Sequence, residues 1–134
     1  MAKRGSGTYG CSVEATLDVI GGKWKGVILF HLLRGTCRFG ELRRLLPEVT
    51  PRMLTLQLRE LERDGVVRRH VYAQVPPKVE YSLTELGRSL EPILLMMLDW
   101  GKRFERQRAE CEARTKNQEP RTESEASADA LAEP

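Results

Sequence analysis

The sequence contains few of the residues that disulfide scaffolds and zinc sites require, and it has no long apolar run. Three cysteines, Cys11, Cys37 and Cys111, cannot all pair within one chain, and none stands at the spacing of a zinc ligand. The longest apolar stretches, residues 27–30 and 93–98, are far shorter than the roughly 20 residues that cross a bilayer. No secretory signal is visible near the N-terminus. We therefore expect a cytoplasmic protein with reduced thiols, no bound metal and no contact with a membrane.

The residues that an enzyme site would need are also scarce. The chain has two histidines; His31 lies in a predicted helix and His70 in a basic strand, and neither has an Asp or Ser partner in a recognisable motif. No glycine-rich phosphate loop follows a strand, and no pair of carboxylates stands out. We therefore predict no catalytic residue and no cofactor, and the enzyme class is disfavoured.

Charge is distributed unevenly along the 134 residues, a length that suits one domain. The formal net charge is +3, but residues 112–134 contain three basic and six acidic side chains, which leaves +6 on residues 1–111. Residues 112–134 also have little that could pack, so we predict a disordered acidic tail there. Residues 1–10 are rich in glycine and predict a flexible arm. The predicted ordered domain is therefore residues 11–111, and its basic charge favours a polyanionic partner.

The periodicity of apolar residues is helical over most of this domain and changes to strand-like alternation in one region. The predicted elements, in order, are helices at 13–20 and 23–33, an extended segment at 36–38, helices at 39–46 and 51–63, strands at 66–72 and 78–83, and a long helical tract after Thr84. Residues 74–77, with two prolines, must form a protruding loop between the strands. The order predicts a mainly α fold with a small β-hairpin: a winged helix-turn-helix domain with terminal dimerisation helices.

The helix that begins at Thr50 has the residues expected of a helix that contacts DNA. Thr50 is a hydroxyl N-cap, and Pro51 follows at the first helical position. The predicted buried face is a stripe of three leucines, Leu54, Leu58 and Leu61. On the other side, Arg52 and Thr55 lie in the first turns, where base edges are reached, and Arg59 lies deeper, where phosphates are met. For this helix by itself, a solvated charged face is the alternative.

Two further basic clusters flank this helix. Arg69 and Lys78 stand on the predicted hairpin, which can reach the DNA backbone or the minor groove. Arg38 and Arg43 precede the helix. Basic residues on a hairpin also protect edge strands from aggregation, but three clusters around one helix-turn-helix favour nucleic acid. The predicted DNA contacts are Arg38, Arg43, Thr50, Pro51, Arg52, Thr55, Arg59, Arg69 and Lys78.

The tract that follows Thr84 is apolar around much of its circumference. A helix of this kind must be buried on all sides, and one small domain cannot cover it. A second subunit is therefore predicted to pack on it, and Pro92 is predicted to kink the tract or to split it into two helices. The predicted dimer contacts are Leu90, Ile93, Leu94, Met97, Trp100 and Phe104.

Several blocks of the sequence match a known family in order and spacing. They are CSVEATLDVIGGKWK (11–25), RFxEL (38–42), TPRMLTLQLRELE (50–62), DG (64–65) and PPKVEYSLTE (76–85). Over about residues 11–105 the chain resembles the HxlR-type bacterial transcription regulators, which are dimeric winged-helix proteins related to the MarR group. The resemblance implies that the helix from Thr50 reads the major groove, that the hairpin around Pro76 is the wing, and that the terminal helices dimerise. Leu56 departs from the family, which often has a polar residue there.

The resemblance also makes Cys11 the redox candidate, because some relatives sense electrophiles or oxidants through an N-terminal cysteine. Ser12 replaces the proline that commonly follows that cysteine. Cys11 is either the N-cap of the first helix, where backbone N–H groups and the helix dipole favour the thiolate, or lies outside the helix if Ser12 is the cap. Glu14 brings a negative charge close and opposes the thiolate. A small, half-buried apolar role is the alternative for Cys11.

Together these patterns predict a sequence-specific transcriptional regulator, a repressor, that binds an inverted repeat in double-stranded DNA as a homodimer. A small electrophile or oxidant that acts on Cys11 is the predicted signal. Two alternatives stay open: a winged-helix module that contacts proteins only, and a regulator controlled by a small-molecule inducer that binds non-covalently.

Overall fold

The computed structural model describes residues 9–118, and the chain divides after Leu95 into two units. The elements follow the predicted order: α1 Ser12–Ile20, α2 Lys25–Leu32, β1 Cys37–Arg38, α3 Phe39–Leu45, α4 Pro51–Arg63, β2 Val67–Tyr72, β3 Lys78–Leu83, α5 Glu85–Arg88 and α6 Glu91–Asn117. The predicted mainly helical, winged helix-turn-helix architecture is confirmed. Residues 1–8 of the predicted arm and residues 119–134 of the predicted tail lie outside the described residues.

The three described strands form one antiparallel sheet in the order β1-β3-β2. β2 and β3 are the predicted hairpin, in a register that places Tyr72 opposite Lys78. The segment predicted as extended before α3 becomes a third strand, because Cys37 of β1 pairs with Tyr81 of β3. Residues 73–77, which join β2 to β3, form an exposed loop, as their prolines predict. We call β2, β3 and this loop the wing.

The leucine stripe of α4 forms the centre of the core, as its spacing predicts. Its members are at most 1% exposed and pack with apolar residues of α2 and α3, among which Ile28, Leu29 and Leu42 are fully buried. Burial of each such side chain contributes about 1.5–3 kcal/mol. Lys25 of α2 is also buried and forms an ion pair with Glu60 of α4. A charge pair therefore joins α2 to α4 in addition to the apolar contacts.

α4 ends at a glycine turn that its sequence predicts. The N–H of Gly65 donates to the Glu62 carbonyl at 3.0 Å, and the N–H of Val66 donates to the Leu61 carbonyl at 3.2 Å. This is the Schellman pattern, in which the residue after the C-cap takes a positive φ. Gly65 has a φ of 78°, a conformation that costs a glycine little.

Thr84 and Gly87 fasten α5 to this turn. The Thr84 hydroxyl donates to the Gly65 carbonyl at 2.6 Å and accepts from the Gly87 N–H at 3.0 Å. Gly87 is buried, and a Cβ at its position would lie 2.0 Å from the Val66 carbonyl oxygen. Only a residue without a side chain permits this approach of α5 to the backbone.

The apolar stripe of α1 is only partly buried, which differs from its expected packing. Ile20 belongs to the core, whereas Val13 and Leu17 are 62% and 51% exposed. Helical periodicity identifies an apolar face, but it carries no information on how much of that face the same chain covers. The exposed part of α1 is therefore apolar surface left without a cover from the described residues of its own chain.

The final helical tract is split into two helices, as predicted, with the break at residues 89–90, just before Pro92. α5 ends at Arg88, α6 begins at Glu91, and Pro92 occupies the first turn of α6. Backbone N–H groups in the first turn of a helix have no intrahelical acceptor, so a proline there costs no hydrogen bond.

The boundary predicted for the acidic tail is wrong for residues 112–117, because α6 continues to Asn117. Glu, Ala, Arg and Lys, which dominate this stretch, have high helix propensity. Arg108 and Glu112 also approach to 3.9 Å one turn apart, an arrangement that supports a helix even when exposed. Cys111 therefore lies within the helix and not at its frayed end.

Candidate nucleic-acid interface

The N-terminal turn of α4 carries three of the predicted DNA contacts, and all three are exposed. Thr50 is the N-cap, and its hydroxyl accepts a hydrogen bond from the Met53 N–H at 3.1 Å. Pro51 occupies the first helical position, with Arg52 next to it. The cap satisfies a backbone N–H that would otherwise lack a partner, and Pro51 has a φ suited to the helix. This end of α4 is therefore well formed, with Arg52 at its tip.

The face of α4 opposite the buried leucines is basic. We call it the outward face; helical spacing places on it Arg52, Leu56, Arg59 and Arg63, all exposed. Thr55 lies to one side of this face and is half-buried. Its hydroxyl donates to the Pro51 carbonyl at 2.9 Å, so that the oxygen keeps only its acceptor capacity for another partner.

A cavity of about 710 Å³ lies beside α4 and the wing and brings together residues distant in sequence. Three of the predicted contacts line it: Thr55 and Arg59 from α4, and Arg69 from β2. The remaining lining residues are Phe39, Glu62, Arg63, Val79 and Tyr81. Three arginines against one glutamate give the cavity a positive charge, which suits an anionic partner.

Arg69 and Lys78 lie on opposite faces of the wing, although both were predicted to contact DNA. The register pairs Arg69 with Tyr81 and Lys78 with Tyr72, and side chains alternate between the faces of a strand. Arg69 and Tyr81 therefore share the face that lines the cavity beside α4. Lys78 lies on the other face, together with Tyr72 and Glu80.

Lys78 is engaged in a cluster of side chains on that second face. Its Nζ lies 3.0 Å from Glu80 Oε1 and 4.8 Å from the centre of the Tyr72 ring, and the Tyr72 hydroxyl donates to Glu80 Oε2 at 3.0 Å. The hydrogen bond from Lys78 holds the pKa of the Glu80 carboxyl below its usual value, and the bond to Glu80 raises the pKa of Tyr72. An ionised Glu80 offsets the Lys78 charge, which leaves Arg69 as the stronger cation of the wing.

The two predicted arginines that precede α4 are exposed. Arg38 of β1 stands opposite Glu80 in the sheet, and its backbone N–H donates to Glu41 Oε1 at 3.3 Å, which caps α3. Arg43 lies in the last turn of α3, where a cation suits the negative end of the helix dipole. Neither arginine is among the residues that line the cavity.

Two glutamates belong to this region and were missed from the sequence. Glu62 lines the cavity, and its position seven residues after Thr55 places it on the same side of α4. Glu80 stands two residues after Lys78 on one strand, so that both side chains share a face. These spacings could have identified both acids. Tyr81 had no such signal, because its place in the cavity wall depends on how the sheet packs against α4.

Cys11 is the exposed N-cap residue of α1, which decides between Cys11 and Ser12 as the cap. The Glu14 N–H donates to the Cys11 carbonyl at 2.9 Å, and the Cys11 side chain makes no capping hydrogen bond. Cys37 is buried in β1, and burial raises the pKa of its thiol. Cys111 is exposed on α6. Cys11 and Cys111 are therefore the two thiols that solvent reaches.

The two histidines of the described region lie in different elements, α2 and β2. His31 of α2 has a buried Nδ1 atom without a hydrogen-bond partner in the described structure, and burial lowers its pKa. His70 stands opposite Glu80 on the exposed face of the wing. Among residues 9–118, no group of three His, Cys, Asp or Glu side chains could hold a metal ion. Over the same residues, no helix is both long and apolar enough to span a membrane.

Comparison with known proteins decides the family. The family model described as HxlR-like helix-turn-helix matches residues 19–109. The chain belongs to the HxlR-like family. The HTH-type transcriptional regulator YdeP of Bacillus subtilis (strain 168) is 68% identical over 95 residues, which is 71% of this chain and 74% of YdeP. The resemblance predicted from the sequence blocks is thus confirmed.

Solved structures similar to this HxlR-like chain share its winged fold. The redox regulator HypR in its oxidized form is 67% identical, with a TM-score of 0.67, and the match covers 69% of this chain and 95% of HypR. A MarR-family transcriptional regulator from Enterococcus faecalis V583 is 38% identical, with a TM-score of 0.66, over 81% of this chain and 99% of its own. The HxlR-like chain is therefore a transcriptional regulator with the helix-turn-helix fold of DNA-binding proteins.

α6 of this HxlR-like chain has a broad exposed apolar surface. The exposed residues among the predicted dimer contacts are Ile93, Met97, Trp100 and Phe104. The rings of Trp100 and Phe104 are stacked, with centroids 5.3 Å apart. Leu94 contradicts its prediction: it is 3% exposed and belongs to the core of its own unit, and Leu90 packs against that core. Leu94 is therefore removed from the predicted interface, because its own protomer already covers it, whereas half-buried Leu90 stays a predicted contact.

Proposed function

We propose that this protein is a sequence-specific transcriptional repressor that binds an inverted repeat in duplex DNA as a homodimer, with Cys11 as its sensor of oxidants or electrophiles. The observation that carries the DNA-binding part is the convergence of Arg59 and Arg63 of α4 with Arg69 of the wing around one cavity. A helix in the major groove and a wing beside it need cations of this arrangement for the phosphates that border the groove.

The proposed roles follow from position along α4 and the wing. Arg52, at the tip of α4, reads a base edge, where an arginine bonds to O6 and N7 of guanine. Arg59 and Arg69 contact phosphates and fix the register of the protein on the duplex. Thr50 and Pro51 hold the helix tip in place, and Thr55 accepts one hydrogen bond at its side. Arg38 and Arg43 add phosphate contacts outside the cavity.

We expect Arg69→Ala to weaken binding to every duplex sequence by about three- to tenfold and to flatten the slope of log affinity against log salt by about 0.9. The reason is that each phosphate contact releases about one counterion from the duplex. Fluorescence anisotropy titrations at several salt concentrations measure both quantities.

Lys78→Ala is the matched control, because it removes a cation from the same wing whose charge Glu80 already offsets. Lys78→Ala should change the slope of log affinity against log salt less than Arg69→Ala does. Arg52→Ala should instead lose discrimination against a wrong base pair, worth about 1–3 kcal/mol, with little change of the salt slope. An unchanged slope with Arg69→Ala would remove the wing from the interface. Failure of the wild type to bind any duplex at low salt would favour a module that contacts proteins only.

The homodimer is supported by apolar side chains that the described residues leave exposed. On α6 the exposed apolar side chains include Met97, Trp100 and Phe104, and α1 by itself exposes Val13 and Leu17. Large apolar patches of this kind are typical of subunit contacts. A dimer with two-fold symmetry presents two copies of α4, so that its operator is an inverted repeat with half-sites about one helical turn apart.

The sensor role is supported by the exposure of Cys11 and by the 67% identity to the redox regulator HypR. Cys11 is exposed at the N-cap of α1, so that a small electrophile or oxidant in solution can reach its sulfur. With a quinone, the Cys11 sulfur bonds to a ring carbon, and the thiol and ring hydrogens move to the two oxygens to give a thioether of the hydroquinone. With hydrogen peroxide, the thiolate sulfur bonds to one oxygen, which keeps its hydrogen, while the O–O bond breaks and hydroxide leaves, which gives a sulfenic acid.

We expect treatment with benzoquinone or hydrogen peroxide to lower the operator affinity of the wild type by about 5- to 150-fold, and Cys11→Ser to abolish this response. Anisotropy before and after treatment measures the release, and mass spectrometry of peptides locates the adduct. Cys111→Ser is the matched control, since it removes the other exposed thiol, and it should respond like the wild type. Equal responses of wild type and Cys11→Ser, or none in either, would exclude Cys11 and favour a non-covalent inducer.

A further inference from the structure

Leu56 is an apolar side chain in the middle of the basic outward face of α4. It is 47% exposed, with Arg52 one turn before it and Arg59 three residues after it. The buried residues Leu54 and Leu58 stand two positions before and after it. Because two residues correspond to more than half a helical turn, Leu56 projects almost directly away from the core.

Folding does not explain a leucine at this place. Leu56 is not among the residues of the core or those packed against it, and a solvated basic face would accept Gln or Glu with a similar helix propensity. When a helix lies in a groove, the residue opposite its buried stripe is the one closest to the groove floor. The leucine side chain is also shorter than those of Arg52 and Arg59. From the position closest to the groove floor it can contact only the base edges directly below it, whereas the two arginines can reach groups farther from the helix.

We propose that Leu56 is a specificity-determining residue of the operator contact and reads thymine through its C5-methyl group. In the major groove, guanine and adenine present hydrogen-bond donors and acceptors, and cytosine presents an amino group. A leucine would displace the water bound to these groups without offering a hydrogen bond in its place. The thymine methyl is an apolar group of the groove and matches the leucine side chain. This inference rests on the proposed function and adds to it the base that the centre of α4 reads.

Met53 provides a comparison on the same helix. It is also exposed, but it lies to one side of the outward face, and its Sδ accepts a hydrogen bond from Gln57 Nε2 at 3.4 Å. A general loss of apolar surface from α4 would affect both residues, whereas direct contact with a thymine methyl concerns Leu56 alone. Met53→Ala is therefore the matched control for Leu56→Ala.

Operator half-sites that the full 134-residue chain selects from random duplexes provide the test. We expect each half-site to contain one thymine whose replacement by deoxyuridine, which lacks only the methyl group, lowers affinity about three- to tenfold. With Leu56→Ala, affinities for the thymine and deoxyuridine operators should agree within about twofold. Met53→Ala should keep the wild-type ratio.

Leu56→Gln provides a second, independent outcome. A glutamine bonds to N6 and N7 of adenine, so that selection with this variant should replace the thymine by adenine at that position. Circular dichroism should show all three variants folded, because neither side chain lies in the core. The inference is overturned if no thymine of the half-site responds to loss of its methyl group, or if Leu56→Ala keeps the wild-type ratio. Failure to select any sequence is a different result, which overturns the proposed function itself.

Discussion

Met97→Asp should give a folded monomer whose affinity for the operator is lower by about a hundredfold or more. Met97 is exposed on α6, between the apolar side chains of Ile93 and Trp100. A carboxylate there is solvated in the monomer, whereas a partner subunit would bury it without a counter-charge, at a cost of several kcal/mol. A monomer also loses the additional affinity that a dimer has because it binds two half-sites at once. Sedimentation equilibrium measures the mass, and anisotropy with a two-half-site duplex measures the affinity.

Leu94→Asp is the comparison variant for the assignment of Met97 to the subunit interface. Leu94 precedes Met97 by three residues but belongs to the core of its own protomer, so that a carboxylate there should unfold the chain. Met97→Leu should keep both the dimer and the affinity, because it preserves an apolar side chain of similar volume. A Met97→Asp protein that remained dimeric at micromolar concentration would remove Met97 from the interface.

Gly87→Ala should destabilise the protein by about 3 kcal/mol and lower its melting temperature by about 10 °C. The added Cβ would lie 2.0 Å from the Val66 carbonyl oxygen, and this neighbour is backbone, which cannot rotate away as a side chain can. α5 would have to move from the turn after α4, with loss of the hydrogen bonds that Thr84 makes there. Urea denaturation measures the change in the free energy of unfolding, and thermal denaturation measures the change in melting temperature, both at a fixed protein concentration.

Gly40→Ala is the control for this prediction. Gly40 lies inside α3, and a Cβ at its position would meet no atom within 4 Å. Alanine restricts the unfolded chain and favours the helix, so this variant should be more stable by about 0.5–1 kcal/mol. A Gly87→Ala protein as stable as the wild type would contradict the close packing of α5 on the turn at Gly65.

Much of the fold could be predicted because its signals are local. The hydroxyl of Thr50 and the ring of Pro51 start α4, Gly65 follows its end, and Pro92 lies in the first turn of α6. Each of these effects arises within one helical turn, so that neighbouring residues suffice to recognise it. α6 extends through residues 112–117, beyond its predicted end, because the helix propensity of these residues outweighs their acidic composition.

The candidate site was less predictable, because it depends on register and packing. Arg69 and Lys78 are both basic residues of one hairpin, but the pairing of Tyr72 with Lys78 places them on opposite faces. Only Arg69 then lines the cavity with residues of α4. The positive charge of Lys78 predicts a DNA contact, but the Glu80 carboxylate lies 3.0 Å from its Nζ and offsets that charge.

By itself, the sequence determined the order of elements, the family and the leucine stripe that orients α4. These follow from short-range periodicity, caps and breakers, whose energies depend on residues a few positions apart. Only the tertiary structure decided which apolar and charged side chains remain free for a partner. Leu94 is covered by its own core while Met97, three residues later on the same helix, is exposed. The physical reason is that burial depends on long-range packing, which periodicity along one helix cannot specify.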